Sequence, residues 1–417
     1  MRIAVISLMQ DVSWGGSEEL WAAMARRALE AGHEVAVFMK AWDQARPRLQ
    51  ELEQAGATVH LRSGGLDRID DVEAGSFEVR DVPRRPWWPR RGAERAASRA
   101  AEVAPSSTGG WSPLLRFAAD IVCVNLGVSY EAGRPDVARL LAALHCPYVI
   151  LTHGVDDRHD MDDDERGRVR AVFGGAAEAG FASVTTQRGV ERQSAATVHG
   201  PWLFANPYRV PADAPVPWPS SDRVEMAYVG RVSRAKGIDG LFEALATDDW
   251  RKRHFRLRLH GDVLRPRYFS ELRRHYGLGD RVEFCGFAPN IPDVWSGSQL
   301  LVFPSRMESM PLTLVEAMLC GRPAVATAVG GIAEWLTEGE TGFVAPSPQP
   351  DDLRDALDRA WLARESWPRM GARAHEVARS RVDPDPGASL LRRLEDVGAV
   401  GAAPPPVAEF LAQSPNG

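Results

Sequence analysis

Lysine is almost absent from this chain. Of 50 Lys and Arg residues in 417, only Lys40, Lys236 and Lys252 are lysines, so the other 47 cations are arginines. The bias is compositional and excludes no function, but it marks each lysine that was kept. Cysteine is scarce too: Cys123, Cys146, Cys285 and Cys320 form no C-x-x-C pair and join no cluster of metal-ligand type, which argues against a zinc ribbon or a disulfide framework. Their apolar neighbours predict buried thiols in a reducing compartment. No stretch reaches the ~18–20 apolar residues of a membrane span. The opening MRIAVISLMQD meets Asp11 too soon for a signal peptide, so a cytoplasmic location is expected. Excess charge of one sign is also missing: the net charge is −6, which gives no reason to expect a nucleic-acid partner. No G-x-G-x-x-G follows the first strand, against an NAD-dependent dehydrogenase.

What is present is a folded α/β pattern. With 44% hydrophobic and 25% charged residues, the chain is long enough for two ordinary domains. Ile3–Leu8 reads as a strand. Leu20, Met24, Ala28 and Leu29 recur at helical spacing, and His33–Met39 reads as the next strand. Further strand-like runs stand at Thr58–Leu61, Ile121–Asn125, Tyr148–Thr152, Ser183–Thr186 and Trp202–Ala205. A proline-rich stretch, Asn206–Asp222, cannot join a central strand or a helix interior and reads as a linker. A second series follows it: MAYVGRV, FRLRLHG, RVEFCGF, QLLVFPS, PAVATAV and GFVAP as strands, with helices such as Tyr268–Tyr276, Leu312–Leu319 and Leu353–Trp361. The expected architecture is two facing Rossmann-like doubly wound domains, residues 1–205 and 223–385, joined by 206–222. A C-terminal segment, 386–417, is expected as a helix returning to the first domain and then a frayed tail. Such folds bind ligands at the carboxyl ends of their strands.

Three loops belong at that position. Gly15-Gly16-Ser17 follows the first strand and opens a helix, which lets backbone approach a ligand at a helix N-terminus. Gly230–Gly237 follows the first strand of the second domain, and its Arg231 and Lys236 suit a diphosphate. The third, Glu308–Glu316, carries two carboxylates with seven residues between them, Pro311 included. Carboxylates there suit hydroxyl groups. The plain alternatives are a tight turn, a solvated basic turn and a solvent-facing Glu316 on an amphipathic helix.

Taken together, VGRVSRAKGID, ESMPLTLVE and AMLCGRPAVATAVGGIAEWLTEGETGFVAP resemble the retaining glycosyltransferases of the family-4 type, whose fold is GT-B. The GG loop and the LTHGVDD segment around His153 resemble that family more thinly. Ser309 stands where glycine is frequent, and HGDVLRP lacks the second glycine usual after Gly261-Asp262. The resemblance implies transfer of a sugar from a nucleotide-diphospho-sugar to a hydroxyl acceptor, with retention and without metal or cofactor. That acceptor would be a sugar, a lipid-linked molecule or a small molecule, in cell-surface polysaccharide, glycolipid or glycoconjugate biosynthesis. It also implies roles. Arg231 and Lys236 would hold the diphosphate and Glu316 the ribose. Glu308 would meet the transferred sugar, with backbone at Ser309, Met310, Pro311 and Leu312 supporting sugar or phosphate. His153 would sit near sugar and acceptor, Gly16 under the phosphate or acceptor, and Phe287-Ala288 against the base. The alternatives are a nucleotide-sugar epimerase, a phosphorylase-like enzyme and a non-catalytic two-domain sugar-binding protein.

Two further signals stand apart. The acidic run from Asp156 to Glu165 contains Asp162-x-Asp164, which mimics a metal-binding D-x-D; a solvated loop near the acceptor is the reading preferred. The arginines of Arg84–Arg91, interleaved with Trp87-Trp88, suit either an anionic membrane surface or an exposed basic loop.

Overall fold

A computed structural model describes residues 1–9, 14–42, 45–62 and 111–400. The tryptophan-arginine segment and the expected tail lie outside these residues. Two parallel sheets organise the chain. The first contains β1 (Arg2–Ser7), β2 (Glu34–Lys40), β3 (Thr58–Arg62), β4 (Ile121–Leu126), β5 (Tyr148–Thr152), β6 (Glu178–Phe181) and β7 (Pro201–Leu203). Their order is β3-β2-β1-β4-β5-β6-β7. The second contains β8 (Val224–Val229), β9 (Phe255–His260), β10 (Val282–Gly286), β11 (Leu300–Phe303), β12 (Ala324–Thr327) and β13 (Gly342–Ala345), in the order β10-β9-β8-β11-β12-β13. Strands such as β4 and β5 are buried along their whole length. Helices cover both faces, which is why these strands read as unbroken apolar runs. In each sheet the order reverses beside the first strand, at β1/β4 and β8/β11, and a crevice opens at the carboxyl ends there.

The linker is fastened to the second domain by a buried arginine. Arg322 is 1% exposed and donates to the carbonyls of Val216 and Pro217 in the linker and of Trp295 and Ser298 beside it. Burial lowers its guanidinium to about 10. At the other end the chain crosses back. Helix Trp367–Arg381 packs in the second core, whereas helix Pro386–Val400 puts Leu390, Leu391 and Leu394 into the first. A side chain at Gly387 would meet the backbone of Ala23 at 2.7 Å, so only glycine allows this approach to helix Gly16–Glu30.

Two expectations are corrected. Ser183–Thr186 is not a strand: β6 ends at Phe181, and Ser183 caps helix Val184–Ser194 by accepting from the Thr186 amide at 3.0 Å. The β-branched run Val184-Thr185-Thr186 favours extension, but the serine cap decides the local structure. Cys123 and Cys320 are buried, whereas Cys146 and Cys285 are only half-buried; β10 lies at a sheet edge, so its residues meet solvent.

Candidate active site

On the first domain, two loops are pinned from below by buried carboxylates. Gly15 precedes helix Gly16–Glu30, and Glu18 reaches back to accept from the Gly15 amide at 3.0 Å, from Ser17 Oγ at 2.6 Å and from Ser7 Oγ at 3.3 Å. This is the glutamate half of a capping box; in place of an N-cap side chain, the Gly15 carbonyl accepts from the Glu18 amide at 3.1 Å. Burial pushes Glu18 up to about 7 despite those hydrogen bonds. After β4, Glu131 accepts from the amides of Gly127 at 2.7 Å and Val128 at 3.3 Å. Burial raises it to about 8, opposed by the two amides and Arg134, with the charge of Glu18 adding to the rise. A carboxyl raised in this way holds its proton longer when folded. Its stabilising effect is therefore complete below about 4.5 and is lost as pH rises through about 8. Glu131→Gln keeps the acceptor oxygen and cannot ionise. Its melting temperature should exceed wild type at pH 8.5 and fall to or below it at pH 5; an equal gap at both pH values would remove the effect from Glu131.

His153 follows β5 and is buried. Its Nε2 lies 2.8 Å from Asn125 Oδ1, an acceptor, so Nε2 carries the proton and Nδ1 is left as an acceptor. Burial holds its pKa near 3, so the ring is neutral.

The second domain supplies the charges. Lys236 sits on the turn into helix Ile238–Ala244, and its Nζ pairs with Glu308 Oε1 while lying 5.9 Å from the centre of the Phe303 ring. Glu308 also accepts from Ser305 Oγ at 2.7 Å. The turn itself demands glycine: at Gly237, φ is +70°, and a Cβ would sit 1.8 Å from the Pro304 carbonyl oxygen. After Glu308 the chain enters helix Leu312–Leu319, held to β8 by Thr313 Oγ1 donating to the Val229 carbonyl at 3.1 Å. Glu316 on that helix is fully buried, which excludes the solvent-facing alternative. One of its oxygens accepts from the Arg209 amide and Nε; the other, Oε2, has no partner among the described residues. Burial raises its pKa, against the pull of Arg209.

These parts meet in a cavity of about 250 Å³ between the domains. Gly16, Ser17 and His153 line it from the first domain; Lys236, Glu308, Ser309, Met310, Pro311 and Leu312 line it from the second. The domains approach closely here, since a Cβ at Gly16 would lie 3.0 Å from Leu312 Cδ1. Arg231 and Glu316 are not among the lining residues: Arg231 is exposed beside Gly230, which does line the cavity, and Glu316 lies deeper on the helix. Phe287 is 70% exposed and also stands off the lining. Asn206, Tyr228 and Thr313 line the cavity and were not singled out from sequence. Nothing local marks them, because linker, strand and helix contribute one each.

A second interdomain cavity, about 640 Å³, carries Arg158, Arg192, Arg234 and Arg306. Four members of the acidic run have partners in this region. Asp156 pairs with Arg158 at 2.8 Å and Asp157 with Arg192 at 2.6 Å. Glu165 pairs with His159, and Asp162 caps helix Asp163–Gly175. Among the described residues, no three His, Cys, Asp or Glu side chains are grouped to hold a metal ion. No helix among them is long and apolar enough to cross a membrane.

With this geometry, the class is a two-domain GT-B fold. The structure of Anabaena Alr3699/HepE in complex with UDP-glucose superposes with a TM-score of 0.68 at 17% identity, covering 96% of this chain and 100% of that one. Sucrose-phosphate synthase from Thermosynechococcus elongatus gives a TM-score of 0.66 at 19% identity over 96% and 99%. Residues 215–377 match the family model described as glycosyl transferases group 1. The chain is 34% identical over 140 residues to the alpha-D-kanosaminyltransferase of Streptomyces kanamyceticus, covering 33% of this chain and 36% of that protein. It is 34% identical over 147 residues to the D-inositol 3-phosphate glycosyltransferase of Kribbella flavida, covering 33% and 35%. The chain thus spans about a third of the length of the curated relatives it matches.

Proposed function

We propose that the protein is a retaining glycosyltransferase that moves a sugar from a nucleotide-diphospho-sugar to a hydroxyl acceptor in glycoconjugate or cell-surface biosynthesis. The observation that carries this reading is the convergence of Lys236, Glu308 and the Gly16 loop on one interdomain cavity. The family match of residues 215–377 and the UDP-glucose complex of a similar fold support it.

In this reading the donor's diphosphate lies against Lys236, with Arg231 swinging in from the exposed turn. When it binds, Lys236 exchanges Glu308 for phosphate oxygens, and Glu308 is freed to accept from hydroxyls of the transferred sugar. Ser309, Met310 and Leu312, which carry backbone amides where Pro311 has none, line the same space at a helix start, which favours negative charge. Glu316 takes a ribose hydroxyl on its unpartnered oxygen. Neutral His153 offers Nδ1 as an acceptor toward the sugar and acceptor hydroxyls. The glycosidic bond to the phosphate breaks, the acceptor oxygen joins the anomeric carbon on the same face, and the departing diphosphate takes the acceptor's proton. Lys236 and Arg231 provide the neutralisation that a metal ion provides elsewhere.

The test is a thermal-shift screen of UDP-, GDP-, ADP- and dTDP-sugars. A ligand that binds only the folded state raises the melting temperature, so one base should give a clear shift. Product analysis with that donor should then find free nucleoside diphosphate and an α-linked product from an α-linked donor. An epimerised nucleotide sugar without release of diphosphate would replace this reading by the epimerase. Absence of any shift would remove the donor site. Glu316→Ala should raise the donor KM roughly tenfold, the worth of one hydrogen bond to a charged group, with kcat changed less.

A further inference from the structure

Glu316 and Arg209 are 107 residues apart in sequence and meet in a way the donor site alone does not require. Arg209 lies in the linker between the domains. Its amide (3.1 Å) and its Nε (3.3 Å) both donate to the same oxygen, Oε1, of Glu316. The arginine side chain is 53% exposed and the glutamate side chain 0%, so the cation reaches inward from the surface to a carboxylate with no contact with solvent. Oε2 is buried and unpartnered. A buried carboxylate oxygen left without a donor is costly unless something else supplies one. Glu316 follows Leu312 and Thr313 by four and three residues, and both line the cavity, so the three share one helix face.

We propose that Arg209 is a positioning residue for the donor nucleotide: it clamps Glu316 by one oxygen, opposes its protonation, and leaves the other oxygen for a nucleotide hydroxyl. This rests on the reading of Glu316 as a donor-binding residue. Because Arg209 belongs to the linker, the clamp also ties the nucleotide's binding carboxylate to the segment about which the two domains would move. Arg209 is the one charged group acting on Glu316 among the described residues; Cys320, one turn further on, is raised to about 12 by burial and stays neutral. Nothing else nearby can replace the arginine's charge.

The experiment is nucleotide titration by calorimetry from pH 5.5 to 8.5, using UDP, GDP, ADP and dTDP on the wild type and whichever binds best on Arg209→Ala, Arg209→Lys, Glu316→Gln and the Ala/Gln double variant. Wild-type affinity should change less over this range than that of Arg209→Ala. Arg209→Ala should bind roughly tenfold more weakly at pH 7.5 and weaken further as pH falls, because an unclamped buried carboxyl takes up a proton. Arg209→Lys keeps a cation and should recover most of the affinity and the wild-type profile. Glu316→Gln should be weak and flat, and the double variant no weaker than Glu316→Gln, since the arginine acts only through the carboxylate. Arg209→Ala with wild-type affinity and profile, beside a weak Glu316→Gln, overturns the clamp and leaves the donor site standing. Additive losses in the double variant overturn it too. Wild-type affinity in Glu316→Gln, or no binding of any nucleotide by the wild type, overturns the donor-site reading and the clamp with it.

Discussion

Lys236→Ala should lower kcat by up to about a thousandfold while changing the donor KM only a few-fold. A sugar diphosphate ester gains a negative charge on the leaving oxygens as the glycosidic bond breaks. A cation ~4 Å away at an effective dielectric of ~20 interacts with that charge by about 4 kcal/mol. At ~1.4 kcal/mol per tenfold, the limit is near a thousandfold. The ground-state ester carries less charge there, so the loss concentrates in the chemical step. The variant also strands Glu308, which is only 10% exposed and keeps Ser305 as its remaining side-chain partner. Removing one member of a partly buried pair destabilises. Stability and catalysis therefore have to be separated. Adding Glu308→Gln to Lys236→Ala should restore part of the melting temperature and none of the turnover. If Lys236→Ala turns over at the wild-type rate, the diphosphate does not lie on this lysine.

Gly330→Ala should disable the same site without touching a charged residue. Gly330 has φ +57°, and a Cβ there would stand 2.1 Å from the Glu308 carbonyl oxygen and 2.6 Å from that of Ser309. Next to it, the Gly331 amide donates to the Ser309 carbonyl at 2.5 Å. An alanine would meet both penalties: ~1–2 kcal/mol for the left-handed backbone and ~1–3 kcal/mol for overpacking. A total of about 3 kcal/mol corresponds to a melting-temperature loss of roughly 6–12 °C for a domain of this size. Relief of the clash requires the Glu308–Ser309 backbone to move, and a shift of ~1 Å at a reacting centre costs about a hundredfold. Melting curves and kcat measured well below the transition check both parts. Wild-type values for both would mean that the loop is not held by this glycine.

The sheets were legible because parallel strands buried on both faces leave uninterrupted apolar runs, as in β4 and β5, with glycine-bearing loops behind them. Helix Leu312–Leu319 was legible to the residue, since Pro311 marks its start and Cys320-Gly321 its end. Ser183–Thr186 misled because one side-chain cap outweighed β-branched propensity. In the candidate site, the glycine loop, Lys236 and Glu308 could be found from their place after strands. Glu18 and Glu131 could not, because their burial depends on elements far along the chain and nothing in the local pattern marks it. The same holds for Arg209, whose partner lies on a distant helix. Lysine scarcity acquires a physical content at only one position of direct bearing on the cavity. Lys236 is paired with Glu308 there, whereas Lys40 lies 4.4 Å over the Trp42 ring and Lys252 pairs weakly with Asp249 on the surface.

The most direct measurement is a calorimetric comparison of wild type and Lys236→Ala, each titrated with the preferred nucleoside diphosphate and with its nucleotide sugar. The free diphosphate carries the additional charge that develops on the leaving group. Its affinity should fall by about a hundredfold or more in Lys236→Ala, well beyond the loss for the nucleotide sugar. Equal affinity of the two proteins for the diphosphate, or no nucleoside diphosphate bound by the wild type, would contradict the assignment of this cavity as a sugar-donor site.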